Sequence, residues 1–308
     1  MIVLTVMLLL VLLWLGSAYM AFRTAQRSGP IRDHTDTERL MRSKYAKYAD
    51  IITEGVNWNQ NCGSEPWEIT SADGLTLHAE WLENPGSNKS AVLVHGWRSS
   101  AVSDFSITAK WLYERGWSIL FVTQRAHAKS EGRWLGFGVS ERQDCLLWTK
   151  ELNRRRPEDD ICLFGMSMGS TTVLMAAGLE LPDKVRGVVA DCGFTSPGAI
   201  VEAVARGKLP FGAKPMARTM GLFSRVLAKA DYDHSTVTAL KSCRVPVLLI
   251  HGTGDTFVPS RMSEENFAAI PGEKELVLVE GAEHGESGLL EPERVFGALE
   301  RFLQKILR

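Results

Sequence analysis

At 308 residues and 45% hydrophobic content, the chain is long enough to bury a sizeable core, as one large domain or two small ones. Lys+Arg 35 against Asp+Glu 36 leave a formal charge of -1, which excludes the basic footprint of a nucleic-acid binder and any acidic tail. Five scattered cysteines (Cys62, Cys145, Cys162, Cys192, Cys243) show no C-x-x-C and no paired spacing, so neither a zinc site nor a disulfide framework is expected, and an odd, sparse set favours a reducing compartment.

The chain opens on MIVLTVMLLLVLLWLGSAYMAF, 22 residues before the first charge at Arg23. About 20 helical residues cross the roughly 30 Å of bilayer hydrocarbon, so residues 1–22 read as a transmembrane anchor. A cleaved signal peptide is the rival, with Gly16-Ser17-Ala18 as a small-residue cleavage site and secretion as the outcome. No positive n-region precedes it, however, and the apolar run exceeds a usual h-region. Arg23, Arg27, Arg32, Arg39, Arg42, Lys44 and Lys47 follow the segment, and the positive-inside bias then keeps the following domain in the cytoplasm. Residues 23–64 read as a linker, with Leu40, Met41, Tyr45, Tyr48 and Ile52 at the spacing of one amphipathic helix, which either joins anchor to domain or lies on the membrane surface.

From residue 65 onward eight strand-like runs alternate with helical patterns: WEIT, LTLHAEW, SAVLVHG, SILFVTQ, ICLFG, VRGVVADC, VPVLLIHG and ELVLVEG. The first two flank the turn signal SADG and predict a hairpin. The other six are continuous apolar runs, as strands buried on both faces require. Helices are expected over 104–115, 140–155, 168–181, 260–270 and 292–306, giving an α/β fold with an eight-stranded, mostly parallel sheet. Residues 196–232, longer than a crossover needs and broken by Gly and Pro, predict a small helical cap over the carboxyl ends of the strands.

Those strand ends are where an open α/β sheet binds its ligands. ICLF runs into Gly165-Met166-Ser167-Met168-Gly169, a G-x-S-x-G sequence between a strand and a helix, which presents Ser167 as a nucleophile. A serine hydroxyl needs a base. Of seven histidines, His34 falls in the linker, His78 in the hairpin and His234 near the end of the cap. His95 and His251 precede glycine directly after strands and suit structural roles, and His127 suits a loop packed near the pocket. His284, in the loop after the last strand, is the candidate base. Asp255, a few residues past the seventh strand, is the candidate acid, with Asp191 after the sixth as its alternative. Oxyanion donors are expected from the backbone N–H groups of Met168 and Trp97.

In chain order, VHGW, QRAHAKSEG, GMSMGS, ADCGFTSP, HGTGDTFVP and EGAEHGES resemble the α/β-hydrolase superfamily of serine hydrolases over most of residues 65–308. They are similar in particular to a bacterial branch of membrane-anchored or cytosolic, prolyl-oligopeptidase-like or esterase-like hydrolases. The resemblance implies Ser167, Asp255 and His284 as the triad, Trp97 and Met168 as the oxyanion hole, and no metal or organic cofactor. Ala128 departs from the pattern, since the similar segment usually reads His-Gly-x-Ser. No β-propeller precedes the domain and no acidic pair stands ready to grip a substrate amino terminus, so ester hydrolysis is favoured over peptide hydrolysis. A peptidase, an acyltransferase and a membrane-tethered binding protein without chemistry are the alternatives. The anchor, with Leu209, Phe211, Met216, Leu222 and Phe223 in the cap, points to a small-molecule or lipid-like ester, although these side chains equally suit the cap's own core. The sequence carries no signal for an oligomeric state.

Overall fold

Period-two alternation sends successive side chains of a strand to opposite faces, so a run with no polar break must be covered on both. The computed structural model, which describes residues 1–207, 209 and 211–307, shows this arrangement; Lys208 and Pro210 of the expected cap, and Arg308, lie outside the described residues. All eight expected strands form: β1 (Glu65–Thr70), β2 (Thr76–Leu82), β3 (Lys89–Val94), β4 (Ser118–Thr123), β5 (Asp160–Met166), β6 (Val185–Asp191), β7 (Val247–Gly252) and β8 (Lys274–Val279). They make one sheet in the order β1-β2-β4-β3-β5-β6-β7-β8, with β2 antiparallel to both β1 and β4 and every pairing from β4 to β8 parallel. In β5, Ile161 and Leu163 join Trp148 and Val173 on one face, while Cys162 and Phe164 join Leu112 and Phe302 on the other. Truncating a fully buried side chain such as Trp148 to alanine costs about 3–5 kcal/mol.

The helices are α1 (Ile2–Gln26), α2 (Thr37–Met41), α3 (Ala49–Asn61), α4 (Ala101–Asp104), α5 (Thr108–Tyr113), α6 (Glu141–Arg155), α7 (Met168–Ala176), α8 (Pro197–Arg206), α9 (Ala213–Phe223), α10 (Thr236–Ala239), α11 (Arg261–Ala269), α12 (Ser287–Leu290) and α13 (Pro292–Ile306). Three depart from expectation. The segment after α1 is not one amphipathic helix but α2, a 3-10 turn (Lys44–Tyr48) and α3. Asp36 and Ser43 each restart the chain by accepting the Arg39 and Tyr45 N–H groups, both at 3.1 Å. Leu40, Ile52 and Val56 are buried together, whereas Met41 is exposed. The helix expected over 104–115 splits into α4 and α5 because α3 lies against the break: a Cβ on Gly55 would come within 2.0 Å of the Ser106 carbonyl oxygen. Asn59 donates Nδ2 to the Val102 carbonyl at 2.8 Å and to the Phe105 carbonyl at 3.3 Å, the latter shared with the Ala109 N–H. α7 ends at Ala176 instead of 181, where the chain passes so close beneath α10 that a Cβ on Gly178 would meet the Ala239 carbonyl oxygen at 2.4 Å.

The excursion after β6 forms a small helical unit of α8, α9 and a π turn (Ser224–Ala228), with Ser196 accepting the Ala199 N–H at 3.0 Å to start α8. Its core is shared with the apolar N-terminal helix. Ala18 and Phe22 of α1 are wholly buried among Met216, Met220 and Tyr232, and Tyr232 donates its hydroxyl to Gln26 at 2.9 Å. Beyond α1, Arg27 bridges Trp134 in antiparallel fashion, flanked by bonds from Leu135 N–H to Gln26 O and from Ser28 N–H to Arg133 O.

Candidate active site

Ser167 stands where β5 turns into α7, with φ 54 and ψ -113. A side chain in this region is strained by about 1–3 kcal/mol, and the turn holds it there by a bond from the Ser167 N–H to the Asp191 carbonyl at 2.9 Å. The flanking glycines are obligatory on steric grounds. A Cβ on Gly169 would lie 1.8 Å from the Val94 carbonyl oxygen, and one on Gly165 would lie 2.4 Å from that of Gly169. Strand, turn and helix therefore close tightly enough to leave the hydroxyl projecting above the sheet.

Two later strand ends bring side chains to that hydroxyl. His284 Nε2 lies 2.9 Å from Ser167 Oγ, and His284 Nδ1 lies 2.6 Å from Asp255 Oδ2. Asp255 Oδ1 accepts the Phe257 and Val258 N–H groups at 2.9 and 2.8 Å. His251 Nε2 sits 3.2 Å from Asp255 Oδ2 and 2.9 Å from the Val258 carbonyl, so it carries the proton, and its Nδ1 accepts from the Ser263 hydroxyl at 2.6 Å. Burial pushes the Asp255 pKa up, but hydrogen bonds from His251, His284 and the Val258 amide outweigh it and hold the carboxyl well below the usual range. Asp191, the alternative acid, makes no bond to His284. Its Oδ1 has no partner, and burial, with the Asp255 charge adding and His251 opposing, pushes its pKa up to about 7.

The Trp97 and Met168 N–H groups are free of intramolecular bonds among the described residues, and Met168 is the first residue of α7, where a helix leaves its amides unpaired. A Cβ on Gly96 would lie 3.3 Å from that of Ser167, so the loop carrying Trp97 rests against the serine. Four side chains, none of them expected in this role from the sequence, hold that loop. Asp104 accepts the Gly96 N–H at 2.6 Å. His127 Nε2 accepts the Arg98 N–H at 3.0 Å, which requires the neutral ring, and burial pushes its pKa down to about 4. Trp97 donates Nε1 to the Ala25 carbonyl at 2.7 Å, and Arg98 donates to those of Thr24 and Arg27 at 3.0 and 3.2 Å. The last turn of α1 thus spends its otherwise unpaired carbonyls on the loop beside the serine.

The segment after α1 also reaches the site. Tyr45 donates its hydroxyl to the His284 carbonyl, and Lys44 and Lys47 pair with Glu283 and Glu286 at 2.9 and 2.6 Å, bracketing the histidine loop. Two of the seven basic side chains that signalled orientation are therefore paired on the domain. A cavity of about 310 Å³ is lined by Ser167, Trp97, Tyr45 and His284 together with apolar residues such as Phe164 and Leu299, a size suited to a small ligand. Leu209, Phe211, Met216, Leu222 and Phe223 do not line it. Met216 packs in the cap core, Phe223 meets Tyr19 and Phe22, and the other three face outward. Among the described residues no cluster of three His, Cys, Asp or Glu side chains has the geometry to hold a metal ion.

A strained serine after the fifth strand, with carboxylate and imidazole supplied by the loops after the seventh and the eighth in turn, is the arrangement of a hydrolase on a doubly covered α/β sheet. A model of the alpha/beta hydrolase family matches residues 91–298. The protein YqkD of Bacillus subtilis is 24% identical over 223 residues, covering 71% of this chain and 72% of YqkD. YfhR of Escherichia coli K12 is 25% identical over 232 residues, covering 72% and 75%. Among solved structures, the esterase Pf2001 of Pyrococcus furiosus superposes with a TM-score of 0.63 at 24% identity, over 79% of this chain and 92% of its own. Est1E of Butyrivibrio proteoclasticus, solved with ferulic acid bound, superposes with a TM-score of 0.61 at 19% identity, over 78% and 99%. The chain belongs to the alpha/beta hydrolase family. The matched model is that of the family at large and does not single out a prolyl-oligopeptidase-like branch.

Proposed function

We propose that this hydrolase cleaves carboxylic esters through a covalent acyl-enzyme, working from a membrane anchored by α1, with its catalytic domain, residues 65–308, on the cytoplasmic side. The observation that carries the reading is the continuous line of hydrogen bonds from Ser167 through His284 to Asp255, at 2.9 and 2.6 Å. His284 Nε2 takes the Ser167 proton as Oγ attacks the ester carbonyl. Asp255 holds the proton on Nδ1 and stabilises the imidazolium that forms. The Trp97 and Met168 N–H groups, free of other bonds, are left to receive the developing oxyanion. His284 then protonates the departing alcohol, and water, deprotonated by the same nitrogen, releases the acid. The cavity at Ser167, lined in part by Phe164, Ile250, Val295 and Leu299, suits an acyl chain, and the likeness to Pf2001 supports an ester in place of a peptide.

A fluorophosphonate probe should label the wild type and leave Ser167→Ala unlabelled, and p-nitrophenyl esters of increasing acyl length should be turned over. A folded wild type that takes no label refutes the mechanism. Label without ester turnover, but with peptide cleavage or acyl transfer to an added alcohol, refutes the choice of reaction and keeps the nucleophile.

A further inference from the structure

α1 has 25 residues, and its first twelve, Ile2–Leu13, are exposed on all sides. At 1.5 Å per residue those twelve extend only about 18 Å, well short of the roughly 30 Å of hydrocarbon. To span a bilayer the helix must use its second half, and that half is already engaged. Trp14 donates Nε1 to Thr219 of α9 at 3.0 Å. Ala18 and Phe22 are wholly buried in the cap core, and the Tyr19 ring meets Phe223 edge-on at 5.3 Å. On the opposite side of the same turns Leu15 and Met20 remain exposed. Whatever depth Trp14–Phe22 occupies, α9 occupies as well.

At that depth the cap turns apolar side chains outward. Phe211 is 101% exposed, Val226 76% and Leu222 61%. Gly212 lies beside Trp14, since a Cβ on it would fall within 4 Å of both Trp14 and Leu209. Large apolar residues gathered on one outward face mark a surface that is covered in use. Lys214 and Arg218 share a stripe of α9 with Leu222 at four-residue spacing, are exposed, and form no ion pair among the described residues. Long basic side chains so placed lay their stems on apolar surface and lift their charge to headgroup level.

We propose that the outer face of the cap, Leu209 and Phe211 to Leu227, is inserted in the same leaflet as the second half of α1, so that two elements hold the hydrolase against the bilayer. This rests on the reading of α1 as a membrane span. The occupant is lipid because the face is continuous with a helix whose free length is too short to span without it. A second copy of the chain would leave that shortfall in place.

The test uses the full chain with Cys62→Ser, the other cysteines being buried. An environment-sensitive nitrobenzoxadiazole probe is attached in turn at Leu9→Cys, Phe211→Cys, Val226→Cys and Glu158→Cys, the last exposed at the amino end of β5. Each is reconstituted in phosphatidylcholine–phosphatidylglycerol vesicles with ordinary or dibrominated acyl chains. Probes at 9, 211 and 226 should shift to the blue and lose fluorescence to brominated lipid to a similar degree, while the probe at 158 does neither. Quenching at 9 but not at 211 and 226 overturns the proposal, whether those probes report water or, by a blue shift without quenching, a protein contact such as a second copy. No quenching at 9 overturns the span itself, and the cap insertion with it.

Discussion

Asp255→Asn tests the site by a count of protons. The carboxylate accepts from four N–H donors: Phe257 and Val258 on Oδ1, His284 and His251 on Oδ2. An amide keeps one acceptor oxygen, so one pair of donors must face an NH₂ group. Keeping the two backbone amides satisfied turns the NH₂ toward the imidazoles. His284 can accept on Nδ1 only by moving its proton to Nε2, the nitrogen 2.9 Å from Ser167 Oγ, where it can no longer take the serine proton. With the geometry intact and the tautomer wrong, kcat should fall about 10⁴-fold, or about 5–6 kcal/mol in the barrier. Stability should fall by about 1–3 kcal/mol for the donors left unpaired. The assays are p-nitrophenyl ester turnover and the rate of fluorophosphonate labelling, with circular dichroism to confirm folding. A folded variant within tenfold of wild type, or a larger loss in Asp191→Asn, would refute the assignment of Asp255.

Ala128 holds a left-handed backbone, φ 42, at the position where glycine was the expected residue. Ala128→Gly should therefore stabilise the protein by about 0.5–1 kcal/mol, seen as a Tm rise of roughly 2 °C, and a lower Tm would contradict it. Asp191 holds its proton to about pH 7 when folded but only to the ordinary carboxyl value of 3.8 when unfolded. Its contribution to stability is thus fully present below pH 4 and lost as pH rises through 7. Asp191→Asn should remove up to about 4 kcal/mol of that decline, read from thermal unfolding in detergent across the same range, and an unchanged pH slope would count against it. Removing residues 1–13 should leave turnover of a short soluble ester intact, because none of them is buried. Removing 1–27 takes away the carbonyls held by Trp97 and Arg98 and should cut kcat by about 10–100-fold; equal activity of the two truncations would show that α1 does not position the loop.

Local signals carried most of the architecture. Apolar runs bounded by turn residues marked each of the eight strands, and strand ends in an α/β sheet must share one crevice, so Ser167, Asp255 and His284 stood out although they are distant along the chain. The breaks in the 23–64 segment were also written locally, in Asp36 and Ser43 as helix caps, but helical spacing of the apolar residues masked them. Other features have no local signature. The role of His127 as acceptor for Arg98, and of Tyr45 as donor to the His284 carbonyl, depends on segments that meet only when the chain is folded.

The same division holds at the amino terminus. A run of 22 uncharged residues declares its own affinity for hydrocarbon, since transfer free energy sums over residues whatever their partners. What one side of that helix touches is a matter of packing. Burial of Ala18 and Phe22 against α9, and the bonds from Trp97 and Arg98 to the last turn of α1, required the cap and the loop after β3 to arrive at the same place. Periodicity and turn chemistry act within a few residues, whereas a hydrogen bond from residue 97 to residue 25 exists only once the sheet has brought the two together.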